Sequence, residues 1–181
     1  PIIIVFQLTT KSKVSSQVCK KISLILTDVD GVLTDGSRYY SKNGENIKKF
    51  HVRDGMGINI LLRNDIKTII VTKERSEIVK KWAKDVNIHR VLMGIKNKET
   101  VLTKLCKEFN LQPNQIAFIG DDVNDLPLLK LVGISASPCD AINQVKNSVK
   151  YVCTCNGGQG AFREFADFIL TQKFSKKLIW Y

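Results

Sequence analysis

The stretch LILTDVDGVLTDG, residues 24–36, decides how the rest of the chain is read. An apolar run climbs to Thr27. Two acids, Asp28 and Asp30, follow one residue apart, and then a glycine. A short continuous apolar run reads as a strand buried on both faces. Ionised carboxylates are costly to bury, so acids at the end of such a strand call for a cation, donors or solvent at that point. The end of this strand is therefore a candidate working site.

Outward from this stretch, strand and helix signals take turns. ISLILTD (22–28), IKTIIVT (66–72), RVLMG (90–94), QIAFIGDD (115–122), GISAS (133–137) and VKYVC (149–153) read as strands. DGMGINILLRN (54–64) has helical spacing at Met56, Ile60 and Leu61, with Asp54 as a possible N-cap. SEIVKKWAKDV (76–86) reads as a helix capped by Ser76, and NKETVLTKLCKEFN (97–110), NDLPLLKLV (124–132), CDAINQVKN (139–147) and GAFREFADFILTQ (160–172) as further helices. SRYYSKNGENIKKFHV (37–52) reads as a β-hairpin turning at Asn43-Gly44. This alternation predicts an α/β fold: a doubly wound, mostly parallel, Rossmann-like sheet with a hairpin insertion and no large cap domain.

In such sheets ligands sit at the carboxyl ends of the strands. Asp28 and Asp30 fall there, as do Thr72 and the acids of GDDVND, Asp121, Asp122 and Asp125. Lys98 opens the helix after the third strand of the sheet. Clustered carboxylates tolerate one another around a hard cation such as Mg²⁺. A carboxylate can attack phosphorus, a second can protonate the departing alkoxide, and a lysine and a hydroxyl can hold phosphoryl oxygens. The set matches phosphoryl transfer through an aspartate.

Composition agrees with a soluble domain. The 181 residues are 44% hydrophobic and 25% charged, and carry a net charge of +11. That charge suits an anionic partner. Basic residues interleaved with aromatics, or a reading helix, are lacking, so a nucleic-acid partner is not expected. No apolar run reaches the roughly 20 residues of a membrane helix, and PIIIVFQL (1–8) lacks the features of a signal peptide. Five scattered cysteines, without a pair of C-x-x-C knuckles, read as reduced thiols in a cytoplasmic protein. The expected organisation is an N-terminal extension over 1–20, one domain over 21–172, and a tail over 173–181.

DVDGVLTDG (28–36) with GDDVND (120–125) resembles the haloacid dehalogenase-like phosphatase superfamily. The hairpin, FHVRDGMGI (50–58) and CNGGQGAFREFADFIL (155–170) resemble its branch acting on 3-deoxy-2-ulosonic acid phosphates. That branch includes 3-deoxy-D-manno-octulosonate 8-phosphate phosphatases and nine-carbon, sialic-acid-type 9-phosphate phosphatases. It is also similar to the C-terminal module of acylneuraminate cytidylyltransferases. The resemblance implies a Mg²⁺-dependent, cytoplasmic, homotetrameric sugar-acid phosphatase serving sialic-acid or lipopolysaccharide sugar synthesis.

It implies Asp28 as nucleophile and metal ligand, and Asp30 as general acid and base lending its backbone carbonyl to the metal. It implies Asp121 as the third protein ligand, Thr72 and Lys98 on the phosphoryl group, Asp122 nearby, and Asp125 orienting Lys98. Arg163 is either a surface arginine or a substrate or subunit contact. The octulosonate branch reads TGR after the second strand of the sheet; here VTKERSEIV (71–79) puts Lys73 for the glycine and Glu74 for the arginine. Glu74 either faces the sugar, which favours nine-carbon substrates, or is a solvated residue of the following helix start. A second class stays open: a non-catalytic oligomerisation module at the end of a cytidylyltransferase. The intact acids, threonine and lysine favour the enzyme.

Overall fold

The computed structural model describes residues 14–174 and 178–180. The apolar segment 1–8 and part of the expected tail lie outside the described residues. The strands are β1 (Leu24–Thr27), β2 (Tyr39–Ser41), β3 (Gly44–Ile47), β4 (Lys67–Val71), β5 (Arg90–Leu92), β6 (Ile116–Ile119), β7 (Ile134–Ser137) and β8 (Tyr151–Val152). The helices are α1 (Ser16–Lys21), α2 (Val52–Arg63), α3 (Glu77–Asp85), α4 (Thr100–Phe109), α5 (Leu126–Leu129), α6 (Asn143–Lys146) and α7 (Ala161–Phe174). Six strands form one sheet in the order β5-β4-β1-β6-β7-β8, every pair parallel, while β2 and β3 form a separate antiparallel hairpin. The chain steps from β1 to one side through β4 and β5, then returns to the other side through β6, β7 and β8. That reversal opens a crevice at the carboxyl ends of β1 and β6.

The continuous apolar strands have a simple cause. Side chains alternate across a sheet, and here both faces are covered. Leu24, Leu26, Ile116 and Phe118 point into a core completed by Val101, Leu105, Leu128 and Val145 of α4, α5 and α6. Ile25, Ile70, Ala117 and Ile119 point into the opposite core, filled by Ile58, Leu61, Val79, Phe162 and Phe165 of α2, α3 and α7. Residues 16–20, read as part of an extension, belong to α1. This helix lies against α7, and its Cys19 is fully buried in the second core.

Two local expectations are corrected. Asp54 does not cap α2. The helix starts two residues earlier, and His51 is its N-cap, its Nδ1 accepting the Arg53 N–H at 3.3 Å. Asp54 is instead buried in the first turn, where Oδ1 accepts the backbone N–H of Arg163 at 2.8 Å and ties α2 to α7. Ser76 stands at the N-cap of α3, but its hydroxyl makes no cap bond and donates to Glu45 of the hairpin at 3.0 Å. The hairpin forms where expected: Ser41 pairs with Gly44, which takes φ +105°.

The loop before α7 presses on the loop after β1. Gly158 donates its N–H to Val32 O at 2.9 Å and takes φ +63°. A Cβ there would stand 2.4 Å from the backbone nitrogen of Asp35. Gly158→Ala should therefore lower the unfolding free energy by about 1–3 kcal/mol, the usual cost of overpacking, as read by urea denaturation. A variant as stable as the parent would show that the two loops are not held together by this contact.

Candidate active site

The site grows from the ends of β1 and β6. Asp28 extends the β1 ladder, its N–H donating to Ile119 O at 3.1 Å. Beyond it the chain coils: the N–H groups of Val32, Leu33 and Thr34 all converge on Val29 O. Gly31 makes this coil possible. It takes φ +85°, and a Cβ on it would stand 2.0 Å from Asp121 Oδ2. Only a glycine lets the acid after β6 come so close.

Asp28 and Asp30 point to different partners. Asp28 lies 2.8 Å from Lys98 Nζ, and that ammonium donates to Asp125 Oδ1 at 2.6 Å. Lys98 and Asp125 are fully buried. The second oxygen of Asp125 accepts the N–H groups of Asp121 and Asp122, at 2.9 and 3.3 Å. Gly120 gives Asp125 its room, since a Cβ there would stand 2.5 Å from the Asp125 carboxylate. Lys98 thus joins the end of β1 to the turn after β6. Asp30 turns toward the hairpin, where its carboxylate meets Lys48 and, at 3.8 Å, Arg38.

A cleft of about 380 Å³ opens over these residues. Asp28, Asp30, Thr72, Glu74, Asp121 and Asp122 all line it, with Lys98 and Asp125 beneath. Thr72 is buried at the end of β4, and its hydroxyl accepts the N–H of Glu74 at 3.3 Å. Asp122 caps the short turn Val123–Asp125, accepting the Val123 N–H at 2.7 Å. Glu74 is not a bare helix-start residue: it lines the cleft and pairs with Arg38 at 3.3 Å. Arg163 is not brought to the cleft. Its Nε bonds both oxygens of Asp167 one turn along α7, at 2.8 Å, and its stem packs on Gly57. That local ion pair and the helix packing hold it away.

The structure adds residues that the sequence did not single out. Lys48, buried to 1% side-chain exposure, bridges Asp30 and Glu45, the latter at 2.8 Å. Arg38 spans Asp30 and Glu74. Both come from the hairpin, so this insertion folds over the acids. Their one sequence signal was a basic hairpin beside an acidic motif.

The acids crowd one another. Burial pushes Asp28 up to about 7; Lys98 pulls it down and Asp125 pushes it up. Burial, then the charges of Asp28 and Asp125, push Asp121 up to about 8. Burial alone would lower the ammonium of Lys98, but Asp28 and Asp125 outweigh it and hold Lys98 above its usual range. This excess of negative charge is what a hard cation relieves. Ligand oxygens of Asp28, Asp121 and Asp125 lie within 4.8 Å of one another. Asp125 spends its oxygens on Lys98 and two amides, which leaves Asp28 and Asp121 as the freer pair. The Asp30 carbonyl accepts no hydrogen bond among the described residues. An all-oxygen set of this kind fits Mg²⁺.

The raised acids fix a sign. Between their unfolded values, near 4, and about 7 and 8, Asp28 and Asp121 hold protons in the folded state that the unfolded chain has released. Their contribution to stability is complete below about pH 4 and is lost as pH rises through those values. Lys98→Met removes the counter-charge and leaves two buried acids facing each other. In chelator at pH 8 it should cost about 3–5 kcal/mol, and the deficit should shrink toward pH 5 as Asp28 takes up its proton. Urea denaturation across that range reads it; a deficit that grows on acidification would contradict the arrangement.

Residues 35–164 match the family described as haloacid dehalogenase-like hydrolase. The 3-deoxy-D-manno-octulosonate 8-phosphate phosphatase of Haemophilus influenzae is 44% identical over 154 residues, covering 85% of this chain and 86% of that protein. Its counterpart in Escherichia coli K12 is 36% identical over 165 residues, covering 90% and 88%. A solved structure of the cobalt-bound Haemophilus influenzae enzyme superposes with a TM-score of 0.84 at 43% identity, covering 87% of this chain and 92% of that one. The Moraxella catarrhalis phosphatase, solved with magnesium, phosphate and KDO, superposes with a TM-score of 0.84 at 34% identity, covering 87% and 91%.

Proposed function

The chain belongs to the haloacid dehalogenase-like hydrolase family, and from that premise we propose that it is a Mg²⁺-dependent, cytoplasmic phosphatase that hydrolyses 3-deoxy-D-manno-octulosonate 8-phosphate through an aspartyl-phosphate. One observation carries the reading: Asp28 stands at the floor of the cleft, bonded to a buried lysine and beside Asp121. The names of the relatives support the substrate. The pairing of Glu74 supports it too. The carboxylate that departs from the octulosonate pattern is engaged by Arg38, which returns a guanidinium to the cleft.

In this mechanism an Asp28 oxygen attacks phosphorus and the sugar oxygen leaves, taking a proton from Asp30. Asp30, now ionised, removes a proton from water. The hydroxide attacks the same phosphorus and the Asp28–phosphorus bond breaks, releasing inorganic phosphate. Lys98 and Thr72 hold the phosphoryl oxygens throughout. Asp125 keeps Lys98 aimed at Asp28, and the hairpin holds Asp30 through Lys48. Asp28, Asp121 and the Asp30 carbonyl would hold Mg²⁺, whose charge offsets that of the phosphoryl group and the acids. Exposed Tyr39, Tyr40 and Ile47 on the hairpin support assembly of copies through it, as a homotetramer.

Asp28→Asn should fold normally and lose turnover by at least about a thousandfold, because an amide does not attack phosphorus usefully; phosphate release with near-parental rates would sink the nucleophile. Exhaustive chelation should stop the parent enzyme and Mg²⁺ should restart it. Mg²⁺ should also raise the melting temperature of the parent at pH 8 and fail to raise that of Asp121→Asn, which tests the metal ligand apart from turnover. In a phosphate-release panel, octulosonate 8-phosphate should have the highest kcat/KM. Preference for a nine-carbon 9-phosphate would overturn the substrate and keep the chemistry.

A further inference from the structure

Beyond Glu74 a second hollow, of about 450 Å³, adjoins the cleft. Lys73, Glu74, Arg75, Gly94 and Lys96 line it, and it shares Lys73 and Glu74 with the cleft. Its charge is the reverse of the cleft floor. Five acids, Asp28, Asp30, Glu74, Asp121 and Asp122, and two cations, Arg38 and Lys73, line the cleft, whereas the hollow has three cations and one acid. That acid is already matched, since Glu74 pairs with Arg38. Lys73, Arg75 and Lys96 form no ion pair among the described residues.

Arg75 is also seated. Its guanidinium lies across Gly94, where Nη2 stands 2.8 Å from the place a Cβ would take. Gly94 has φ +73°, so a glycine suits both the turn and the space that Arg75 fills. A guanidinium laid on backbone with no anion of its own has its planar fork ready for a carboxylate.

We infer that this hollow is a subsite for the carboxylate of the substrate, with Lys73, Arg75 and Lys96 as its cations. The inference rests on the proposed phosphatase reading, in which the phosphoryl group is held deep by Thr72 and Lys98. The rest of the substrate must then leave past residues 73–75. Arg75 lies three positions after Thr72, at most about 10 Å of chain, a span that an eight-carbon acid bridges. The acidic floor repels a carboxylate and the cationic hollow attracts it, so a substrate anionic at both ends enters in one orientation. The subsite differs from the TGR pattern of the octulosonate branch by its residues: the arginine stands one position later, and Lys73 and Lys96 line the same hollow.

Two measurements decide it. The first compares kcat/KM on octulosonate 8-phosphate and on p-nitrophenyl phosphate, which has no carboxylate, for the parent and for Lys73→Ala/Lys96→Ala. The sugar acid should lose about ten- to a hundredfold more than the aryl ester, chiefly through KM. Equal losses would make the lysines a general attractor of anions, and no loss would leave them as solvated surface; either result overturns the subsite. The second compares inhibition of p-nitrophenyl phosphate hydrolysis by ω-phosphonocarboxylates and by alkylphosphonates of equal length. The carboxylate should tighten inhibition about tenfold in the parent, and this advantage should disappear in the double variant and in Arg75→Ala. A carboxylate that brings no advantage in the parent overturns the proposal. If the parent hydrolyses no ulosonic acid phosphate, the functional reading fails, and the inhibitor pairs still decide the subsite.

Discussion

A buried ammonium between two carboxylates governs this molecule. Lys98 is wholly enclosed, and it reaches Asp28 on one side and Asp125 on the other. None of the three charges could be kept inside alone, because removing an ion from water costs several kcal/mol even after relaxation. Together they also fix backbone. Asp28 is the continuation of β1, Lys98 precedes α4, and Asp125 holds the amides that follow β6. Three crossovers therefore end in one ionic knot. Buried pairs of this kind seldom add much net stability, and here the knot sits where the strand order reverses and a ligand is received. Its charge serves the cleft more directly than it serves the core.

The rest of the site follows from what that knot leaves uncompensated. One lysine cannot neutralise Asp28, Asp121 and Asp125, and the two acids nearest the cleft are pushed up to about 7 and 8. The glycines at 31 and 120 make the crowding possible, each giving space to a carboxylate that any side chain would displace. Asp30 escapes the crowd because the hairpin carries its own counter-ion. Lys48 reaches it from β3's exit, held in turn by Glu45, which Ser76 fixes to the start of α3. Two separate cations thus serve two neighbouring acids, so residues 28 and 30, one residue apart, stand in different electrostatic surroundings.

The acids and their strands were legible because both signals are local. A continuous apolar run followed by Asp28, or by Asp121, states burial and a strand end within a few residues. Lys98 was legible through its place after β5 and through the resemblance. Lys48 and Arg38 were not, because the sequence specifies a hairpin but not the surface on which it lies. The place of Arg163 was open for the same reason: its glycine-rich approach allowed a surface arginine or a substrate or subunit contact, and within the subunit it pairs with Asp167 four residues later. Asp54 had the residue type of an N-cap and sat near a helix start, but its burial against the Arg163 amide gave His51 that position. The helix α1 carries too few residues to show a period, and only α7 gives Cys19 a reason to be inside.

The charge pattern has a direction as well as a sum. The net charge of +11 belongs to the whole chain, but along the path of a ligand the sign alternates. Cations without an ion pair among the described residues stand at the rim, the acids of the cleft come next, and Lys98 lies at the bottom. A cation bound among the acids would invert the sign of that middle layer and make the path attractive to a phosphate over its whole depth. The neutral ends of a sugar would feel little of this, whereas a molecule with an anion at each end would be oriented before any hydrogen bond formed. Glu74 then has a role that its charge alone would not suggest. It shares the Arg38 guanidinium with Asp30, at 3.3 Å against 3.8 Å, and so holds that cation over the cleft between the two acids.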